Sequence, residues 1–97
     1  MIDIVREESE TRGRYVARVS GHAEAGELTY SKLGKNTVIA DHTLVPEPLR
    51  GRGIAQALVE RLVGDARSER FSIVPLCPFV RAQYARHPEW SDVMQTL

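Results

Sequence analysis

The chain has 97 residues, enough for one domain with a single modest core, and its 42% apolar and 27% charged content is that of a globular protein and not of a disordered or fibrous one. Thirteen basic and thirteen acidic side chains cancel, so the chain lacks the long-range field that draws a protein to nucleic acid or to an anionic membrane, and neither is an expected partner. The one cysteine, Cys77, excludes an internal disulfide and suits a reducing compartment, which makes the cytoplasm the expected location.

The N-terminal segment M-I-D-I-V-R-E-E turns acidic too early to hold the apolar core of a signal peptide. No apolar run approaches the roughly 20 residues needed to cross a bilayer. In chain order, Ile2 and Ile4 alternate with polar neighbours and predict a first strand of about six residues. Residues 8–14 are polar, and Gly13 suits the turn of a hairpin. Tyr15, Ala17 and Val19 then alternate as a second strand, and Leu28 and Tyr30 mark a third, closed by the turn Gly34-Lys35-Asn36. Residues 37–45 form a long run rich in β-branched side chains, as expected of a central strand. Simple alternation puts Val38, Ala40, His42 and Leu44 on one face of it, and Ile39, Asp41, Thr43 and Val45 on the other.

After a loop over residues 46–53, Ile54, Leu58 and Leu62 recur at spacing four, with Ala55, Val59, Val63 and Ala66 beside them. That stripe predicts an amphipathic helix. Residues 71–75 read as a short fifth strand, and a strand, crossover helix and strand of this length favour parallel pairing. Pro78 opens a second helix that ends before Pro88, with Phe79, Val80, Ala82 and Tyr84 as its contact positions. Trp90, Val93, Met94 and Leu97 fall at near-helical spacing in the tail. The expected fold is therefore a single mixed α+β domain over residues 1–97: a meander of four antiparallel strands, a helix, a fifth parallel strand and a closing helix.

The most specific stretch joins the fourth strand to the first helix and reads V-P-E-P-L-R-G-R-G-I-A. Gly51 and Gly53 free the backbone just before a helix N-terminus, where unpaired N–H groups and the positive end of the helix dipole attract an anion. No G-K-[ST] follows, so the loop is not a Walker loop, and the G-x-G-x-x-G spacing of a dinucleotide fold is missing. Helix capping is the plain alternative for the glycines, and surface pairing with Glu47 is the alternative for Arg50 and Arg52.

Arg50-Gly51-Arg52-Gly53-Ile54-Ala55 resembles the R/Q-x-x-G-x-G/A signature of the GNAT-superfamily acetyltransferases. The resemblance implies that acetyl-CoA is the cofactor, its pyrophosphate held by the loop through Arg50, Gly51, Arg52, Gly53, Ile54 and Ala55. It also implies that backbone near Leu44 and Val45 polarises the thioester carbonyl in the split between the fourth and fifth strands. In larger members a polar residue after the fifth strand precedes by seven positions a tyrosine that protonates the departing thiolate. Cys77 and Tyr84 have that separation, and the strings L-C-P-F-V and R-H-P-E-W are similar to those of small GNAT-like proteins of about a hundred residues.

Cys77 would cap the second helix, where the dipole favours thiolate, so it is a candidate nucleophile or proton-exchange group as well as a small buried hydrophobe. Tyr84 is a candidate general acid or a packing residue. His42 is a candidate base for the acceptor amine or a structural histidine. No pair of cysteine and histidine has ligand spacing on one element, so no metal site is expected. Larger relatives carry further strands that build the acceptor pocket, and a site without them suits a protein or peptide amine. The expected function is transfer of acetyl from acetyl-CoA to an amine by a monomer, and the rival is a non-catalytic CoA-binding or partner-binding module.

Overall fold

A computed structural model describes residues 1–95. Strands β1 (Ile2–Glu8), β2 (Arg12–Val19), β3 (Ala25–Lys32) and β4 (Thr37–Leu44) pair in sequence order as an antiparallel meander, and β5 (Ser72–Pro75) joins β4 in parallel. Helix α1 (Ile54–Glu69) connects β4 to β5, and helix α2 (Pro78–Arg86) follows. This is the mixed α+β architecture that the periodicities predict.

One early boundary differs. Glu8 and residues 12–14, expected in the hairpin loop, are strand, because Glu7 pairs with Arg14 and Glu8 with Gly13. Gly13 is therefore not a turn residue but a packing one: a Cβ there would lie 2.3 Å from the Tyr30 ring.

Helix α1 covers the sheet face that carries Tyr15, Ala17, Leu28, Tyr30, Val38 and Ala40, and contributes Ile54, Leu58, Val59, Leu62, Val63 and Ala66 to the shared core. Each of its large aliphatic side chains is worth about 1.5–3 kcal/mol on full burial. The helix starts where Gly53 takes a left-handed φ of 74° and ends on Arg70 in the same region. On α2, Val80 is buried and Phe79 half-buried, whereas Ala82, an expected contact, is exposed and its neighbour Gln83 is buried.

The tail forms a 3₁₀ turn at Pro88–Asp92 that buries Trp90, and Met94 bridges Ile73 on the outer edge of β5. Leu97 lies outside the described residues. Pro75, with no N–H, ends the donor row of β5.

The far end of α1 is tied to β1 by Arg6, an inward-facing cation among the apolar positions of that strand. Its guanidinium lies 5.7 Å from the Tyr15 and Phe71 ring centres and 5.9 Å from that of Tyr30. It pairs with Glu8 at 2.8 Å, Asp65 at 3.4 Å and Glu69 at 2.6 Å. The Tyr15 hydroxyl donates to Asp65 at 2.8 Å, and the Tyr30 hydroxyl donates to Glu8.

This cluster contributes to the pH dependence of stability at both ends of the range. Burial pushes the Glu8 carboxyl up, but hydrogen bonds from Tyr30 and Arg6 outweigh it and hold the group below its ordinary 4.5. Burial and the bond to Glu8 push the Tyr30 phenol from 10.0 up to about 12. Glu8 then contributes stability that is present above pH 4.5 and lost as pH falls through its lowered native value. Tyr30 contributes stability that is complete below pH 10.0 and lost as pH rises through about 12. Urea midpoints followed by circular dichroism across pH should show both limbs, and Glu8→Gln should flatten the acid one.

Candidate functional site

The register of β3 on β4 slips between Thr29 and Tyr30: Tyr30 faces Ala40, Thr29 faces His42, and Asp41 is left over as a bulge. Cross-strand partners share a face, so Thr43, opposite Leu28, lies on the core side with Ala40. His42 and Leu44 turn to the other face and are exposed. Simple alternation, which put His42 and Leu44 with Ala40, is overturned by that one extra residue.

The bulge sits where β4 and β5 part. Their pairing ends at Ala40 opposite Pro75, and residues 41–44 continue without β5 alongside. Cys77 closes the apex of this split. Its N–H donates to the Ala40 carbonyl at 2.8 Å, and its Sγ is 3.5 Å from Thr43 Oγ1. The side chain is buried, at 4% exposure, as the N-cap of α2, but makes no capping bond.

On the α1 side, Pro46 directs the chain into a 3₁₀ turn at Glu47–Leu49, which buries Leu49 completely and anchors the loop. Gly51 and Gly53 then take φ values of 80° and 74°, a region closed to most side chains, with nothing within 4 Å of a Cβ at either. The first intrahelical bond runs from Ala57 N–H to Gly53 at 3.0 Å, and no side chain caps the helix. The N–H groups of Ile54, Ala55 and Gln56 therefore have no intrahelical acceptor. Gly26 lies under this helix start: a Cβ there would be 2.9 Å from Ile54 Cγ2, so glycine lets the first turn of α1 settle on β3.

A cleft of about 260 Å³ opens at this junction. Arg50, Gly51 and Gly53 form its loop edge, Ile54, Ala55 and Gln56 its helix edge, and Val45 and Leu49 its apolar floor, with Phe79 and Gln83 of α2 on the opposite side. The Arg50 Nε donates to the Val45 carbonyl at 3.2 Å, which fixes the side chain to the end of β4. No ion pair joins Arg50 or Arg52 to Glu47 among the described residues, so the surface-pairing alternative has no support.

Of the residues singled out in the sequence, Val45, Arg50, Gly51, Gly53, Ile54 and Ala55 line the cleft, while Leu44 and Arg52 do not. Cys77 meets Thr43 in the split, and Tyr84 and His42 form no hydrogen bond with it among the described residues. Leu49, Gln56 and Gln83 were not legible as lining residues. A second, shallower depression of about 370 Å³ lies on the face opposite α1, where Arg14 pairs with Glu7 at 2.7 Å and approaches Glu27 at 3.9 Å. It holds charges of both signs and no uncapped helix end.

The cleft pairs an uncapped helix N-terminus and an adjacent arginine, which suit an anion, with apolar walls from Val45, Leu49 and Phe79. A family model described as GCN5-related N-acetyl-transferase matches residues 14–93. Protein NATD1 of Xenopus tropicalis is 29% identical over 82 residues, 84% of this chain and 75% of that protein. Human Protein NATD1 is 28% identical over 82 residues, 84% of this chain and 73% of that protein.

Among solved structures, a GCN5-like protein from Staphylococcus aureus superposes with a TM-score of 0.71 at 24% identity, over 98% of this chain and 89% of that one. A ribosomal-protein-alanine N-acetyltransferase from Brucella melitensis biovar Abortus 2308 superposes with a TM-score of 0.65 at 26% identity, over 82% of this chain and 65% of that one. The chain belongs to the GCN5-related N-acetyl-transferase family.

Proposed function

We propose that the protein transfers the acetyl group of acetyl-CoA to an amine carried by a protein or peptide. The observation that supports this most is the cleft at the uncapped α1 start, lined by Arg50, Gly51 and Gly53 of the loop and by Phe79 and Gln83 of α2, the helix that Cys77 opens beside the β4–β5 split. The open N–H groups of Ile54, Ala55 and Gln56 and the Arg50 guanidinium suit a diphosphate. Cys77 and Thr43 lie where the thioester would end. Among the described residues no strand lies beside residues 41–44 on the β5 side, and the exposed Leu44 and Leu76 flank the split, an approach that suits a large acceptor.

Two routes use these residues. In the first, the amine attacks the thioester carbonyl directly, the carbon–sulfur bond to CoA breaks, and the amine's proton leaves with the CoA thiol. In the second, Cys77 Sγ attacks first, forms its own thioester and releases CoA thiol. The amine then takes the acetyl group and returns a proton to Cys77. Calorimetric titration with CoA tests the reading itself: absence of saturable binding at millimolar CoA overturns it.

Intact mass after incubation with acetyl-CoA separates the routes. An adduct of about 42 Da, absent in Cys77→Ala, is the signature of the second, because acetyl replaces hydrogen. Turnover of an amine or peptide panel by Cys77→Ala at an unchanged rate is the signature of the first. Saturable CoA binding without adduct or turnover would make the protein a CoA-binding module.

A further inference from the structure

Gln83 is a polar side chain placed where an apolar one would serve the fold. Its residue surface is only 8% exposed, on the inward side of α2, yet its amide makes no hydrogen bond to any described residue. At the same time no fully buried side-chain nitrogen or oxygen is without a partner among the described residues. The amide atoms therefore reach solvent, and the cleft is the space that Gln83 lines. A donor and an acceptor are held there by a buried stem, with no partner among the described residues. A ligand that covers such a group without bonding to it loses affinity, and one that bonds to it does not.

Resting on the acetyl-CoA reading above, we infer that Gln83 is a cofactor-specificity residue that hydrogen-bonds an amide of the pantetheine arm. The chemistry discriminates between parts of the ligand. A phosphate offers acceptors alone and would face the Gln83 carbonyl unfavourably, and the N–H groups at the start of α1 already supply donors for it. A secondary amide offers an N–H and a C=O on opposite sides of its trans bond, and the Gln83 side chain holds an acceptor for the one or a donor for the other.

Position agrees with chemistry. Gln83 and Phe79 lie one helical turn apart on α2 and share the cleft, and Cys77 precedes them at the N-cap. Six residues of helix separate Gln83 from Cys77, about 9 Å at roughly 1.5 Å per residue. In pantetheine the amide farther from the sulfur has its nitrogen seven bonds away. That is about 8 Å when extended, at roughly 3.3–3.6 Å per three backbone-like bonds. With sulfur beside Cys77 and diphosphate at the α1 start, that farther amide is the one level with Gln83.

The test compares two ligands on two variants. Gln83→Met keeps the length of the side chain without its amide, and Gln83→Leu keeps its bulk. CoA and adenosine 3′-phosphate 5′-diphosphate, the same nucleotide without the arm, are titrated into each. Both variants should weaken CoA by about five- to tenfold, the worth of one hydrogen bond, and leave the arm-less nucleotide within roughly twofold of the native protein. Equal weakening of both ligands, or no weakening of CoA in either variant, overturns the assignment. Failure of the native protein to bind CoA at all overturns the underlying reading instead, so the two failures are distinguishable.

Discussion

Arg6→Met should lower the free energy of unfolding by about 3–5 kcal/mol, the range found when one partner of a buried charge cluster is removed. The Arg6 side chain is only 18% exposed and the Asp65 side chain 17%, so this is not a surface pair of negligible worth. Removal takes away the cation that Glu8 and Asp65 share, leaving each with one more exposed partner, Lys32 at 3.3 Å and Arg61 at 3.2 Å, and takes the guanidinium from among three aromatic rings. Glu69, half-exposed, contributes less despite its 2.6 Å contact, because water screens it.

Urea denaturation at neutral pH measures the loss. An effect under about 1 kcal/mol would reduce the cluster to the standing of surface pairs. Arg6→Lys should recover only part of the stability, since one ammonium cannot reproduce the fork that reaches Glu8 and Glu69 through separate nitrogens. The effect also bears on the site. Arg6 pins the C-terminal half of α1 to β1, and that helix is a rigid element about 24 Å long at roughly 1.5 Å per residue, with the anion-binding end at its opposite terminus.

Much of this was legible in the sequence because it rests on periodicity and on backbone chemistry. The spacing of Ile54, Leu58 and Leu62 identifies α1, and the pair Gly51 and Gly53 before it marks a loop in the left-handed region. What escaped has a common cause in tertiary pairing. The polar residues 12–14 looked like a loop, but Arg14 reaches across to Glu7, and Gly13 leaves room for the Tyr30 ring. Arg6 falls in step with Ile2 and Ile4, and that charge at an inward-facing position was the readable sign of the cluster.

The bulge at Asp41 left no such sign. Residues 37–45, T-V-I-A-D-H-T-L-V, hold no strict alternation whose phase could be seen to slip, and only the register against β3 reveals that His42 belongs to the outer face. Its consequence is the most direct link between fold and site: the extra residue brings Thr43 to the core side, within 3.5 Å of Cys77, at the place where β4 leaves β5. On α2, apolar Ala82 was the natural inward choice and proved exposed, because Phe79, Val80 and Gln83, three and four residues apart, set the inward face and Ala82 falls beside it.

Gly51→Val combined with Gly53→Val should weaken CoA binding by at least about a hundredfold while the chain stays folded. Both residues hold left-handed φ values, 80° and 74°, at which a non-glycine residue costs roughly 1–2 kcal/mol, and a β-branched one more. No atom lies within 4 Å of a Cβ at either position, so the substitutions meet no clash with the core. The loop can therefore relieve its strain by leaving the left-handed region. In doing so it turns away the N–H groups that converge at the start of α1, and two new side chains stand where a diphosphate must approach the backbone. Together these losses exceed the roughly 2.7 kcal/mol that corresponds to a hundredfold change. Titration calorimetry with CoA reads the binding, and thermal unfolding of the free protein reads the fold. A variant that keeps native affinity would show that the anion does not sit on the loop backbone, leaving the glycines with a capping role alone.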